Sequence, residues 1–428
     1  MFDSLTDGLL QRAFEPLVKT GRLDVVTPAG KVLAFGDQGL PRARIRFTDQ
    51  RAVIHLLRDP DLNFGEMYMQ ERIVVEQGSV YDVLELVLRH ARQVPDSRMV
   101  QFLDAVRMKL IPLWQNNLRG KSRANVAHHY DLDGRLYQLF LDEDRQYSCA
   151  YFENGNESLE AAQLAKKRHI AAKLLLAPGQ RVLDIGCGWG GMARYLAEIG
   201  EAGHVKGVTL STEQLEGARQ RALQTPVADR LEYALEDYRD TQGPFDRIVS
   251  VGMFEHVGSR FHDAFFQQCF ELLAEDGVML LHFIGNFEEP AFNNPWIERY
   301  IFPGGNLPSM SEFTPAIERS GLLVSDIEVL RLHYASTLRI WRERFLARRE
   351  EARALYDERF CRMWEFYLSM SETAFRYQDI AVFQVQLVRN QEAVPLTRNY
   401  VAPREAALKA RERLSPRYAH IVDQTAHR

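Results

Sequence analysis

From about residue 125 onward, short apolar runs alternate with amphipathic stretches of helical period. Strands are predicted at Arg181–Ile185, Val205–Leu210, Leu231–Ala234, Asp246–Val251, Val278–Phe283 and around Phe383–Val388, with helices between them. Strands that alternate with helices predict a right-handed, doubly wound α/β sheet of Rossmann-like type, with ligands at the carboxyl ends of the strands. A long Arg/Glu-rich helical insertion at 338–376 interrupts this alternation and fits an amphipathic hairpin that covers a substrate pocket or acts as scaffold.

The first 95 residues follow a different pattern. Leu5–Glu15 and Tyr81–Arg92 have helical periodicity, whereas Arg44–Phe47 alternates like a strand, so a small α+β domain is predicted. We therefore expect an N-terminal domain at 1–100, a linker helix at 101–127, the α/β domain at 128–400 and a polar C-terminal tail at 401–428.

Composition narrows the class of protein. A chain of 428 residues is long for one domain, and its net charge of -5 gives no general attraction for nucleic acid. The four cysteines lie far apart without zinc spacing, so we expect no metal and free thiols in a reducing cytoplasm. No apolar run approaches the ~20 residues that span a bilayer, and the acidic start MFDSLTDGLL is unlike a secretory signal. Any membrane contact is expected to be peripheral.

The stretch VLDIGCGWGG at 182–191 runs from a buried strand into a glycine-rich turn. Gly186 and Gly188 stand where backbone must approach a ligand closely. The spacing also fits dinucleotide sites, but the next strand ends without the acid that such sites use for the ribose. An acid, Asp184, lies inside the motif instead. It suits the cationic aminoacyl sulfonium group of S-adenosylmethionine better than it suits a pyrophosphate.

Other polar residues follow the remaining strands. Thr209 and Gln214 come after the second strand, and Asp237 and Tyr238 after the third, where they suit ribose or methionine groups and an adenine ring. Four further candidates are expected: Glu255 after the fourth strand, His282 at the carboxyl end of the fifth, Cys149 within QYSCAYF at 146–152, and Tyr334 beyond the fifth strand. A Cys-His hydrolase is a weaker interpretation, because Cys149 has no nucleophile-elbow context.

The stretch 102–129 places an apolar cluster beside a basic one. Leu110, Ile111, Leu113 and Trp114 precede Arg119, Lys121 and Arg123. Apolar insertion combined with attraction to anionic headgroups is typical of a peripheral membrane element. A linker helix packed on its own protein, with solvated charges, fits the same residues, and both interpretations stay open here.

The chain resembles the bacterial cyclopropane-fatty-acyl-phospholipid synthases and the mycolic acid cyclopropane synthases. The matching motifs are HHYDL (128–132), YSCAYF (147–152), VLDIGCGWGG (182–191), GVTLSTEQ (207–214), MFEHVG (253–258), LHFIG (281–285), NPWIERYIFPGG (294–305) and HYASTLRIWRERF (333–345). They occur in family order over most of residues 128–390. The N-terminal segment resembles the bacterial accessory domain, with a lipid-interaction role, more loosely. DLDGRLY at 131–137 and the tail beyond 400 depart from the family.

The resemblance implies a methyl transfer from S-adenosylmethionine to the double bond of an unsaturated phospholipid acyl chain. Ring closure then needs a base, and similar enzymes hold a bicarbonate ion for this purpose. The matching ligands here are Cys149, Glu255, His282, Tyr334 and the backbone of Ile284. The matching cofactor contacts are Tyr147, Ser148, Gln214 and the glycines of the turn. The resemblance also implies contact with the inner face of the membrane and a homodimer.

Three other functions remain open from the sequence. Methyl transfer without ring closure would give methyl-branched or methyl-unsaturated chains. A lipid-binding protein that keeps the fold but lacks turnover is a second alternative. A methyltransferase acting on small molecules or nucleic acid is the third.

Overall fold

A computed structural model describes residues 2–94, 101 and 134–426 of the chain. The linker predicted at 101–127, with Arg119, Lys121 and Arg123, therefore lies outside the described residues apart from Gln101. Two compact units are formed, and each consists of several stretches of chain. The first contains residues 1–114, 291–303 and 338–380, and the second contains residues 115–290, 304–337 and 381–428.

The first unit is built around a four-stranded sheet of order β2-β1-β3-β4. Its strands are β1 (Arg22–Val26), β2 (Val32–Gly36), β3 (Arg42–Phe47) and β4 (Ile73–Gln77). β1 pairs in parallel with β3, and the β1–β2 and β3–β4 pairs are antiparallel. The alternating sequence RARIRF of β3 buries Ala43, Ile45 and Phe47 on one face, as its period of two requires.

Helices surround this sheet, and several begin at side-chain caps. Asp49 accepts a hydrogen bond from the backbone N–H of Ala52, and Ser79 forms a capping box with Asp82. The helices are Phe2–Phe14, Gln50–Arg58, Pro60–Met69, Val80–Leu88, Pro295–Tyr300, Arg349–Leu355 and Glu358–Tyr377, and His333–Ala347 has residues in both units.

The inserted segments of the first unit pack on its N-terminal helices. The Trp296 and Phe366 rings lie 4.7 Å apart, and both close around Gly65. A Cβ atom at Gly65 would lie 2.5 Å from Trp296 Nε1 and 2.6 Å from Phe366 Cε1. The Tyr377 hydroxyl also donates to Glu85 Oε1 at 2.8 Å. Segments 291–303 and 338–380 therefore share a core with the N-terminal residues.

The second unit contains a seven-stranded sheet of order β10-β11-β9-β8-β5-β6-β7. Its strands are β5 (Arg181–Ile185), β6 (His204–Thr209), β7 (Leu231–Leu235), β8 (Phe245–Val251), β9 (Leu273–Asn286), β10 (Leu323–Val329) and β11 (Ile380–Val388). The pairs among β5 to β9 are parallel, and β10–β11 is antiparallel. Because β5 lies between β6 and β8, the chain order reverses at β5, where doubly wound sheets bind their ligands.

The helices of the second unit are Gly134–Tyr137, Leu159–Lys173, Gly191–Glu198, Thr212–Ala222, His262–Leu272, Met310–Ser320, Val401–Leu414 and Ala419–Ala426. Leu159–Lys173 is buried at every position except Glu160, although it carries five basic residues. Lys167, Arg168, His169 and Lys173 are paired with acids from other segments, whereas Lys166 bonds the neutral side-chain oxygens of Gln146 and Ser148. Arg168, for example, donates to Glu412 Oε2 at 2.6 Å, and the Tyr195 hydroxyl donates to Glu412 Oε1 at 2.6 Å.

The predicted doubly wound α/β class and the small N-terminal sheet are confirmed, but two details differ from the prediction. β10 was not predicted, because its outer-edge sequence LVSDIEV is only partly buried and lacks a strong apolar run. Residues 401–428, predicted as a polar tail, include the helices Val401–Leu414 and Ala419–Ala426, and Leu408, Glu412, Tyr418 and Val422 are buried. The domain boundaries and the place of the helical insertion over an active site remain predictions.

Candidate functional site

The glycine-rich turn lies at the carboxyl end of β5, as the sequence predicts. Gly186, Gly188 and Gly190 all have positive φ. A Cβ atom at Gly186 would lie 2.8 Å from Met253, so only glycine allows this turn to approach the segment after β8. A Cβ atom at Gly188 would meet nothing within 4 Å. The turn therefore has open space beside its backbone, as a ligand-binding loop needs.

Asp184 provides a buried negative group beside this turn. Its side chain is 2% exposed, and its Oδ2 has no hydrogen-bond partner among the described residues. Burial raises the pKa of its carboxyl to about 7, although the backbone N–H of Ala193 favours the ionised form. An acid with one unpartnered oxygen favours a cationic ligand group, and the sulfonium and ammonium of S-adenosylmethionine fit this requirement.

Thr209 is the last residue of β6, Gln214 lies in the helix that follows, and both are buried. The Thr209 hydroxyl donates to Gln214 Oε1 at 3.0 Å, and Ser211 caps the following helix by accepting from the Gln214 backbone N–H at 3.2 Å. Because the Thr209 hydroxyl holds Gln214 Oε1 in place, the direction of the Gln214 amide N–H groups is fixed as well. This pair fits the predicted role in holding polar groups of a cofactor.

Asp237 and Tyr238 follow β7, two strands from β5. Asp237 accepts hydrogen bonds from the backbone and side chain of Arg239, at 3.1 and 2.8 Å. The Tyr238 ring packs edge-on against Phe265 with 5.3 Å between centroids. Their cofactor roles remain predictions, and in this structure Asp237 forms an ion pair with Arg239.

Tyr147, Ser148 and Cys149 form a segment that packs beside the sheet. The Tyr147 ring meets Tyr137 with 5.4 Å between centroids. Ser148 Oγ accepts from Lys166 Nζ at 2.7 Å, and the Ser148 carbonyl accepts from Gln163 at 2.9 Å. Two hydrogen bonds from helix Leu159–Lys173 therefore hold this segment in place.

Cys149 is connected to the helix that carries Tyr334. The next residue, Ala150, donates its backbone N–H to Thr337 Oγ1 at 3.0 Å, and Phe152 donates to His333 Nδ1 at 2.9 Å. Both acceptors lie in the first turns of His333–Ala347, and Tyr334 is buried there. Burial raises the pKa of the Cys149 thiol, so the thiol is protonated at neutral pH and acts as a hydrogen-bond donor rather than a nucleophile.

Glu255 follows β8, and His282 lies near the carboxyl end of β9, in register with Val251, the last residue of β8. Glu255 Oε1 accepts from the Ile284 backbone N–H at 2.8 Å, two residues beyond His282 on β9. Glu255 Oε2 and His282 Nε2 are both buried and have no hydrogen-bond partner among the described residues. Burial raises the pKa of Glu255 to about 7 and lowers that of His282 well below its ordinary value. One unpartnered oxygen and one unpartnered ring nitrogen therefore suit a ligand that has both acceptor and donor atoms.

Sequence reasoning missed Lys166, which donates to Ser148 Oγ and interacts electrostatically with Asp184 and His282. It is fully buried and also donates to Gln146 Oε1 at 2.8 Å. Burial dominates the pKa of Cys149, Asp184 and His282, and the Lys166 ammonium lowers the pKa of all three. The structure therefore brings these predicted residues into one electrostatic neighbourhood. No sequence signal marked Lys166, because it stands in a basic run that is typical of a solvated helix face.

Among the described residues, no helix has both the length and the apolar character needed to cross a bilayer.

Comparison with known proteins shows which family this chain is similar to. The sequence pattern of the mycolic acid cyclopropane synthetase family matches residues 118–385, and a domain of unknown function matches residues 10–98.

Two curated relatives cover most of the chain. The cyclopropane-fatty-acyl-phospholipid synthase of Escherichia coli (strain K12) is 39% identical over 356 residues, covering 83% of this chain and 90% of the relative. The tuberculostearic acid methyltransferase of Mycobacterium tuberculosis is 36% identical, covering 77% of this chain and 79% of the relative.

Solved structures give the same result. A mycolic acid cyclopropane synthase complexed with SAH and CTAB has a TM-score of 0.59 at 36% identity, covering 62% of this chain and 97% of that chain. A coclaurine N-methyltransferase has a TM-score of 0.61 at 18% identity, which supports the fold alone.

Proposed function

Because the chain belongs to the mycolic acid cyclopropane synthetase family and is an S-adenosylmethionine-dependent methyltransferase, we propose that it acts as a cyclopropane-fatty-acyl-phospholipid synthase. The substrate is the double bond of an unsaturated acyl chain. The observation that carries the proposal is the buried pair of unpartnered atoms, Glu255 Oε2 and His282 Nε2, at the carboxyl ends of adjacent strands.

The cofactor half of the site lies around β5 and β6. S-adenosylmethionine supplies an electrophilic methyl group there. Asp184 offers its free oxygen to the cationic aminoacyl end, and the open side of Gly188 admits the ligand next to the backbone. Gln214, held by Thr209, orients polar groups of the same ligand. Ser148, fixed by Lys166, would provide a further polar contact to the same ligand.

The second half of the site fits a small oxyanion. The chemistry that bicarbonate supplies when bound is that of a base for the proton leaving the new methyl group. Glu255 Oε2 accepts the single O–H of such an ion, and the His282 ring nitrogen donates to one of its oxygens. The Tyr334 hydroxyl, and the Cys149 thiol if it turned away from the Ala150 carbonyl that now accepts its proton, would complete the donor set. Burial lowers the pKa of Lys166 to about 7, and in its protonated form this residue would lower the cost of burying an anion in this region.

A second candidate is methyl transfer to an acyl chain without ring closure. The similarity to the tuberculostearic acid methyltransferase favours it, since that relative covers nearly as much of this chain as the E. coli synthase does. The two reactions share the methyl transfer and differ in which proton leaves. Loss of a proton from the new methyl group closes the ring, whereas loss from the chain retains an alkene.

The lipid substrate requires contact with a bilayer. We propose peripheral association with the inner face of the membrane, through the apolar and basic residues between 110 and 123, and a homodimer as the assembly. The apolar residues would enter the headgroup region, and Arg119, Lys121 and Arg123 would attract anionic lipids.

The experiment is mass spectrometry of phospholipid acyl chains from cells that express the protein and receive an isotope-labelled methyl donor. A gain of one labelled CH2 with loss of the alkene supports the synthase. A labelled chain that keeps its alkene supports the C-methyltransferase instead. Absence of labelled lipid overturns both and favours a lipid-binding protein or a soluble substrate. Cells expressing Glu255→Gln provide the matched control.

A further inference from the structure

Gln384 on β11 lies between a lysine and the histidine of the candidate site. Its side chain is fully buried. Gln384 Oε1 accepts from Lys173 Nζ at 3.0 Å, and Gln384 Nε2 lies 3.2 Å from His282 Nδ1. An ammonium group has donors only, so the amide oxygen must face Lys173 and the amide NH2 must face the imidazole. His282 Nδ1 is therefore the acceptor, and the ring carries its proton on Nε2.

Lys173 is itself held in place by acids of β10. Its ammonium forms an ion pair with Glu328 and lies 3.8 Å from Asp326. Glu328 Oε2 also bonds the Nε2 of His169 at 2.7 Å, and His169 Nδ1 bonds Glu405 at 2.7 Å. Burial lowers the pKa of His169, but the two carboxylates outweigh burial and raise it. A charged network thus fixes which end of the Gln384 amide points at His282.

We propose that Gln384, oriented by Lys173, is a positioning residue that holds His282 as an Nε2–H donor to the bound oxyanion. This inference rests on the proposed function, because the oxyanion belongs to it. In the other tautomer, a lone pair on Nε2 would face the anion and repel it. His282 Nε2 then forms one half of a donor–acceptor pair whose acceptor half is Glu255 Oε2.

The test combines nitrogen NMR of the histidine rings in the full-length enzyme with bicarbonate-dependent turnover. The His282 signal is assigned by its loss in His282→Gln. In the unchanged enzyme we expect a protonated Nε2 and an unprotonated Nδ1. Finding the proton on Nδ1 overturns the inference, whatever the turnover shows.

Gln384→Glu replaces the amide NH2 with a second acceptor. His282 Nδ1 then carries the proton of the neutral ring and Nε2 loses it, a tautomer whose NMR signature differs both from that of the unchanged enzyme and from that of a doubly protonated ring. The bicarbonate concentration for half-maximal turnover should rise about 10- to 100-fold, as expected for loss of a hydrogen bond to a charged group. Binding of S-adenosylmethionine, measured by calorimetry, should stay unchanged. An unshifted signature, or an unshifted bicarbonate dependence, contradicts the positioning role.

The matched control is Gln386→Glu, the same change two residues along β11. Gln386 bonds the Lys173 carbonyl and the Tyr400 hydroxyl and is not bonded to His282, so the His282 signature should stay as in the unchanged enzyme. Gln384→Met is a second variant without a buried charge, and mixed tautomers are expected in it. If turnover of the unchanged enzyme shows no bicarbonate dependence, the proposed base is wrong, while the tautomer result is read separately from the spectra.

Discussion

The backbone N–H of Ile284 donates to Glu255 Oε1 at 2.8 Å, which fastens a carboxylate from the loop after β8 to the end of β9. This hydrogen bond leaves the other carboxylate oxygen for a ligand. It also explains why Ile284 belongs to the site through its backbone and not through its side chain. The residue type at 284 is therefore less constrained than the path of the strand.

Glu255→Gln should lower turnover by at least about 100-fold and leave S-adenosylmethionine binding unchanged. The amide keeps an acceptor for Ile284 but presents donors or a weaker acceptor to the oxyanion. Turnover is measured with unsaturated phospholipid vesicles, and cofactor affinity is measured by calorimetry. An equal loss of cofactor affinity would contradict the division of the site into two halves.

The difference in unfolding free energy between Glu255→Gln and the unchanged protein should depend on pH. Burial raises the pKa of Glu255 from 4.5 to about 7, so the unfolded chain loses this proton first as pH rises. The carboxyl therefore destabilises the fold progressively between those values, and fully above pH 7. Relative to the unchanged protein, Glu255→Gln should gain about 3 kcal/mol between pH 4 and pH 8, measured by denaturant unfolding without bicarbonate. A pH-independent difference would show that Glu255 ionises normally.

Asp184→Asn should weaken S-adenosylmethionine binding about 10- to 100-fold, because a charge-assisted contact becomes a neutral one. In the unchanged enzyme, affinity should rise as pH increases through about 7, where the raised pKa of Asp184 places its ionisation. Calorimetry across pH 6–8 measures both effects. Asp246→Asn is the control, since Asp246 accepts from the Arg181 backbone at the amino ends of the strands. Similar losses in both variants would point to a general fold defect.

Glu412→Gln should destabilise the second unit by about 3 kcal/mol, because it removes the closer of the two carboxylates paired with the buried guanidinium of Arg168 and leaves only Glu153, at 3.4 Å. Thermal unfolding measures this loss. The exposed neighbour Arg413 provides the control, and Arg413→Ala should change stability by less than about 0.5 kcal/mol. Equal effects would mean that the C-terminal helix contributes little through its ion pair.

Gly65→Ala should destabilise the first unit by about 1 to 3 kcal/mol, because the new methyl group collides with Trp296 and Phe366. Gly8→Ala is the matched control within helix Phe2–Phe14, where a Cβ atom meets nothing within 4 Å. There the higher helix propensity of alanine should stabilise slightly. Hydrogen exchange of the first unit distinguishes the two variants, and equal protection in both would refute the packing argument.

Replacing Arg119, Lys121 and Arg123 together with glutamine should weaken binding to anionic vesicles, and the difference should shrink as salt is added. Vesicle co-sedimentation measures it. A control with the same loss of charge changes Arg319, Arg339 and Arg413, which are exposed elsewhere. Unaltered vesicle binding of the first variant would indicate that this stretch is an ordinary linker without a role at the membrane.

The sequence predicted the parts of the site that depend on local pattern. Asp184 and His282 lie near the carboxyl ends of strands, and Gly186 and Glu255 follow strands, whose period and apolar content are evident in the chain. Lys166 and Gln384 were missed because their roles arise from hydrogen bonds to residues distant in sequence. Lys166 bonds Ser148, 18 residues away, and Gln384 bonds Lys173, 211 residues away. A basic helix is normally solvated, and only the folded chain shows that remote acids allow Leu159–Lys173 to be buried.

The three-part composition of the first unit has a consequence for synthesis on the ribosome. Helix Glu358–Tyr377 supplies the Tyr377 and Phe366 side chains that contact the N-terminal helices, yet it is translated some 270 residues after Val80–Leu88. The surface of the N-terminal helices that Tyr377 and Phe366 cover therefore stays exposed until most of the polypeptide has emerged. During this interval it is a natural client for chaperones, and a fragment ending near residue 100 should aggregate more readily than the full-length chain.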